Sequence, residues 1–115
     1  MTQALRPLST ADAPHYTWGD GCDGWHLCSS DTLSVIEEAM PAGASETRHR
    51  HATAEQVFYV LTGGLQIEVE GEVLSVGAGQ SLHIAAGLAH QVRSDSAARF
   101  LVISTPPAQS DRIAA

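Results

Sequence analysis

Turn-forming glycines break this chain at short, nearly regular intervals, and the runs between them are too short and too rich in β-branched residues for helices. Thr32 to Met40 is a partly alternating run ended by Pro41-Ala42-Gly43. Thr47 to His51 and Gln56 to Leu61 follow, the latter apolar on both faces. Thr62-Gly63-Gly64 then turns the chain into Leu65, Ile67 and Val69, alternating with Gln66, Glu68 and Glu70 as a half-buried strand does. Glu70-Gly71-Glu72 predicts a turn into Val73 to Val76, and Gly77 and Gly79 bracket another before Ser81 to Ala85. Gln91 to Arg93 and Arg99 to Ser104 complete the set, which Pro106-Pro107 stops. No segment sustains a helical apolar period. The pattern predicts an all-β sandwich or barrel. With 115 residues, 43% of them hydrophobic, the chain has room for one domain with a real core. Residues 1–20 read as an extended arm with little regular structure, 21–105 as the barrel, and 106–115 as a tail that is loose or packed on the surface.

Chemistry concentrates in histidines. His49 and His51 sit two apart, so on a strand both imidazoles leave the same face and can grip one ion without bending the backbone. A third ligand some forty residues on must come from another strand, as His90 would. Imidazole suits zinc, copper, nickel, cobalt and iron. His83 lies between Leu82 and Ile84 and should face away from them, as a structural or interface histidine. His15 and His26 carry no spacing signal, and Arg48 and Arg50 alternate with the ligand pair and should point outward.

Two glycine-bounded segments hold these histidines. Gly43, His49, His51, Gln56 and Gly63 form the first, and Gly79, Gly87 and His90 the second. In this the chain resembles the cupin superfamily over roughly residues 33–105, with Ala85 where proline is usual and Ser94 where asparagine is usual. The resemblance implies an all-β cupin fold, a double-stranded β-helix or jelly-roll barrel. It also implies one divalent transition metal (iron, nickel, zinc, copper or manganese) held by His49, His51, His90 and a fourth ligand. Gln56 leaves the usual six residues before Gly63, whereas Glu55 would bring a negative charge to the ion. Neighbours on a strand face opposite ways, so only one of the two can reach the metal. With Gln56, Phe58 and Val60 join the inward face and the donor set is neutral, which strengthens the pull on anionic ligands.

The formal net charge is −7, from 13 acidic and 6 basic residues, so no basic patch invites nucleic acid. No apolar run reaches the roughly 18 residues of a membrane span. The N-terminal residues lack a secretory pattern, which makes the cytoplasm the expected location. Cys22 and Cys28 fit neither redox nor zinc spacing and read as two thiols in a reducing compartment. Arg99 and Arg112 are the cations available to steer an anionic substrate, and Phe58, Phe100, Trp18 and Trp25 are candidate pocket or core aromatics.

The resemblance implies a metal-dependent enzyme of the dioxygenase or isomerase/lyase class acting on a small anionic or enolisable molecule, with Glu55 a conceivable proton carrier at the rim. The alternatives are a non-catalytic module that senses or binds a metabolite or metal, and a metal-free structural barrel. Val57, Tyr59 and Leu61 would face outward opposite Gln56, which predicts a homodimer with the arm lying across the neighbouring sheet.

Overall fold

The computed structural model of the chain describes residues 5–109 and 111–115; residues 1–4 of the expected arm and Ser110 of the expected tail lie outside them. In order, the strands are β1 (His15–Trp18), β2 (Cys22–Ser29), β3 (Ser34–Met40), β4 (His49–His51), β5 (Glu55–Thr62), β6 (Gly64–Val69), β7 (Glu72–Gly77), β8 (Ser81–Ile84), β9 (His90–Ser94), β10 (Ala98–Thr105) and β11 (Arg112–Ala114). They pair antiparallel in two sheets, ordered β1-β2-β3-β10-β5-β8 and β11-β4-β9-β6-β7. From β3 onward every connection but the β6–β7 hairpin passes from one sheet to the other. This winding is the double-stranded β-helix, or jelly-roll barrel.

Alternation explains which residues fill it. Phe58 and Val60 of β5 and Phe100 and Val102 of β10 meet Leu65, Ile67 and Val92 of the opposite sheet in one buried cluster. Each fully buried large side chain contributes about 1.5–3 kcal/mol of hydrophobic stabilisation. The β6–β7 turn lies where the sequence puts it: Glu70 (φ 49°) and Gly71 (φ 91°) are both left-handed, as a two-residue hairpin with the right twist requires. Gly63 (φ 74°) closes the first motif so tightly that a Cβ there would run into the Ala97 carbonyl.

Two strands lie where none was expected. β1 falls inside the arm and pairs with β2 in the register Tyr16↔Gly24 and Trp18↔Cys22. β11 falls inside the tail and pairs with β4, Arg112↔His51 and Ala114↔His49. The expectation of little regular structure in the arm is thus corrected, while in the tail β11 lies as an exposed strand at the sheet edge. Both strands are short, and β11 finds its partner far away in sequence, so neither has a local signature. The outer face of β5 leaves Tyr59 39% and Leu61 38% exposed within the chain. Among the described residues no helix is long and apolar enough to cross a membrane.

Candidate metal centre

β4 is three residues long, and its alternation buries His49 and His51 while leaving Arg50 exposed. His90 opens β9 directly opposite His49. One ring nitrogen from each of the three lies within 4.8 Å of the others. Which nitrogen faces the centre follows from what the other one does. His49 Nδ1 meets the Thr47 carbonyl at 2.9 Å, His90 Nδ1 meets the Leu88 carbonyl at 3.0 Å, and His51 Nδ1 meets Asp111 Oδ1 at 2.9 Å. Each partner accepts only, so each Nδ1 carries the proton and each Nε2 keeps its lone pair for an ion. Burial pushes His49 down to about 4 and His90 down as well, with neighbouring cationic groups adding to the effect. Neutral imidazole, the form a metal binds, is favoured before any metal arrives.

The Gln56 side chain enters the same cavity, while Glu55 points outward and pairs with His83 Nε2 at 3.0 Å. The parity of the strand therefore separates the two as expected, and Glu55 is neither beside the histidines nor on the cavity rim. Gln56 Nε2 donates to Ser104 Oγ at 3.0 Å, which turns the amide so that its carbonyl is the free end. Among the described residues Gln56 Oε1 and His90 Nε2 are buried with no hydrogen-bond partner. Orphaned buried acceptors are costly, and a cation between them would satisfy both. The residues present thus fit a metal ion.

His49 and His51 line a cavity of about 160 Å³, with Phe58, Ile36 and Val102 as its apolar wall. Glu38, Glu46 and Arg112 reach both this cavity and an adjoining hollow of about 380 Å³ lined by Tyr16 and Trp18. Burial pushes the Glu46 carboxyl up to about 8, helped by the nearby Glu38 charge. Burial likewise pushes Glu38 up to about 7, against the hydrogen bond from Tyr16 and the charge of Arg112.

Asp111 is the best-fastened carboxylate here. One oxygen holds His51, and the other accepts from the Thr53 amide, the Thr53 hydroxyl and the Ala54 amide, each at 2.9 Å. Burial alone would raise its pKa, but these bonds outweigh it and keep the group ionised well below the usual carboxylate range. Sequence reasoning found no role for Asp111, because the group it orients lies far back along the chain. It also passed over Glu38 and Glu46. For Glu38 a signal existed, a carboxylate in phase with Ile36 and Met40 on an inward face.

The remaining candidates separate cleanly. Arg48 pairs with Glu68 at 2.7 Å, and Arg50 and His83 are exposed. Arg99 stacks 4.6 Å over Trp25 and pairs with Glu37 at 2.7 Å, which takes it away from the cavity; of the two candidate steering cations only Arg112 lines it. Phe100 is core, and Trp18 lines the hollow. Ser94 is buried and its hydroxyl donates to the Pro41 carbonyl at 2.6 Å, fastening the turn before the metal strand. The Gly87 amide donates to the His51 carbonyl at 2.7 Å, which ties the second glycine-bounded segment to the first.

Comparison with known proteins agrees with this geometry. The family model for the cupin domain matches residues 36–104. The pectin degradation protein KdgF of Dickeya dadantii is 26% identical over 100 residues, which cover 87% of this chain and 91% of that protein. An uncharacterised protein of Methanocaldococcus jannaschii is 26% identical over 76 residues, 64% of this chain but only 61% of that protein's length. The crystal structure of an RmlC-like cupin from Shewanella frigidimarina superposes with a TM-score of 0.83 at 20% identity, over 95% of this chain and 97% of that one. A family match over more than half of the sequence, on a barrel whose three buried histidines converge, establishes that the chain belongs to the cupin family.

Proposed function

We propose that this cupin binds one divalent transition metal through His49, His51, Gln56 and His90, and that it is a metal-dependent enzyme acting on a small anionic or enolisable molecule. The observation that carries this reading is the set of three buried histidines, each with its Nδ1 proton already engaged and its Nε2 directed to a common centre. The unsatisfied Gln56 carbonyl supports its place as the fourth ligand. A bound divalent ion supplies Lewis acidity, drawing electron density from a carbonyl or carboxylate oxygen. Around that centre the protein's own groups are matched to an anion: four neutral ligands leave the ion's charge undiminished, and Arg112 adds a further positive charge at the cavity. Phe58, Ile36 and Val102 keep one side dry. The carboxyl groups of Glu38 and Glu46 favour proton movement, and with it the isomerase or lyase class, over dioxygenase chemistry. The relative named for pectin degradation adds carboxylated sugar fragments to the molecules worth testing.

The homodimer belongs to the same proposal, supported by the half-exposed Tyr59 and Leu61 on the outer face of β5. So does a cytoplasmic location, which suits the free thiols of Cys22 and Cys28.

Metal analysis of purified protein tests the centre. His49→Ala, His51→Ala and His90→Ala should each lose stoichiometric metal and keep the β fold; a full equivalent retained in any of them removes that histidine from the site. Gln56→Ala should weaken metal binding more than Glu55→Ala, and the reverse order would overturn the Gln56 assignment. A turnover screen of small carboxylates with metal-loaded protein tests catalysis. Binding without turnover across the panel would favour the non-catalytic module.

A further inference from the structure

β3 presents two adjacent glutamates to opposite sides of its sheet. Glu37 faces out and pairs with Arg99 at 2.7 Å, whereas Glu38 is in phase with Ile36 and Met40 and lines both the histidine cavity and the adjoining hollow. Tyr16, two strands away, donates its hydroxyl hydrogen bond to Glu38 Oε2 at 2.8 Å. The register explains how it gets there: Tyr16 is paired with Gly24, and Gly24 with Glu38. A Cβ at Gly24 would collide with the Tyr16 ring, so only glycine lets the phenol lie across β2 and reach the acid on β3.

We propose that Glu38 gives and takes the proton in this cavity and that Tyr16 is the positioning residue that holds it there. The inference rests on the reading of the cavity as the place where a small enolisable molecule binds. Among the described residues the bond from Tyr16 is the one side-chain hydrogen bond Glu38 makes, so Oε1 is left for a ligand. The charged and titratable groups around Glu38 are Tyr16 on β1, Cys22 on β2, Glu46 in the loop before β4 and Arg112 on β11, with His49 and His51 lining the same cavity. Burial places Glu38 near 7, offset by Tyr16 and Arg112, so both the acid and the base form are populated around neutral pH, as a group that must both take and return a proton requires. The step is balanced without any co-reactant. The Glu38 carboxylate removes a proton from carbon next to a carbonyl, and the C–H electron pair moves into the enolate. Return of the proton to the same or the neighbouring position regenerates the carboxylate.

Pyruvate in deuterated water, with zinc-loaded protein, is the probe: its methyl protons exchange through an enolate, and the exchange is followed by proton NMR while calorimetry reads binding. Wild type should bind pyruvate and accelerate exchange, and Glu38→Gln should bind it with full metal content but lose the acceleration by about 100-fold or more. Glu38→Asp, which keeps a carboxyl, should recover part of the rate. Tyr16→Phe should retain exchange with its pH midpoint moved upward, because the bond that favours the ionised acid is gone. Carboxyl carbon NMR of the wild type gives a readout free of any variant, with Glu38 titrating near neutrality. Pyruvate bound but exchanged at the rate of a protein-free zinc control would overturn the role of Glu38 alone, as would full activity in Glu38→Gln or a Glu38 midpoint at the ordinary carboxylate value. No pyruvate binding at all would instead sink the reading of the cavity itself, and this inference with it.

Discussion

Asp111 shows how a single side chain can set the geometry of a cluster of converging histidines from outside it. It fixes the His51 ring and its tautomer while being held by three donors of its own, so its position is set by the protein alone. Removing such an outer partner from a ligating histidine typically costs 10- to 100-fold in metal affinity. Asp111→Asn should show a loss in that range by chelator competition while leaving the folded spectrum unchanged; unaltered affinity would mean that His51 is oriented by packing alone. The buried carboxyl of Glu46 carries a second expectation. The folded state holds its proton up to about 8, so between the free value of 4.5 and about 8 the fold binds more protons than the unfolded chain and loses stability as pH rises. His49, pushed down to about 4 from 6.5, has the opposite sign and adds stability as pH rises through that interval. In metal-free protein, Glu46→Gln should therefore match wild type near pH 4.5 and exceed it increasingly toward pH 8 in urea denaturation. A difference that stays constant with pH would show that Glu46 is ionised throughout. The shared face of the histidine pair was legible from the two-residue repeat of a strand. That repeat also said that only one of Glu55 and Gln56 could face them, but the choice of Gln56 rested on the spacing of the cupin motif. Asp111 was not legible, since nothing local in a sequence reports a bond that closes over 60 residues.

At the scale of elements, the motif glycine at the end of β5 has a physical reason. Gly63 adopts a left-handed backbone and lies against Ala97 and Ala98, so a side chain meets both conformational strain and backbone atoms that cannot give way. Left-handed backbone alone costs a non-glycine residue about 1–2 kcal/mol. Gly63→Ala should lower the melting temperature by about 4 °C or more, and a melting temperature within a degree of wild type would show that the turn relaxes. The β6–β7 hairpin was legible because its glycine stands between two alternating runs, and Ser81 to Ala85 for the same reason. β1 and β11 were not. β1 sits in a stretch that mixes proline, glycine and aromatic residues, and β11 is a three-residue strand whose stability comes from β4 rather than from its own composition.

For the whole molecule, glycine spacing and alternation made an all-β sandwich or barrel legible, and the resemblance of the histidine segments to cupins supplied the winding. The outer face carries the expectation of a homodimer. β5 shows Tyr59 and Leu61 to solvent, and a twofold contact is the common way to cover such a face. Light scattering should give about twice the 12.1 kDa chain mass, and Tyr59→Glu with Leu61→Glu should halve it. A stable monomer at high concentration would show that the face needs no cover. Finally, the segment that marks the family runs from 36 to 104, yet Tyr16 and Arg112, which line the cavity, Trp18, which lines the adjoining hollow, and Asp111, which holds His51, all lie beyond it. The middle supplies the histidine cluster and its acids, and the ends supply the residues that shape and hold their surroundings. Two descendants could share every residue of that middle and still process different molecules. Exchanging only the flanking strands between relatives is therefore the economical way to redirect such a barrel, with the histidine cage left untouched.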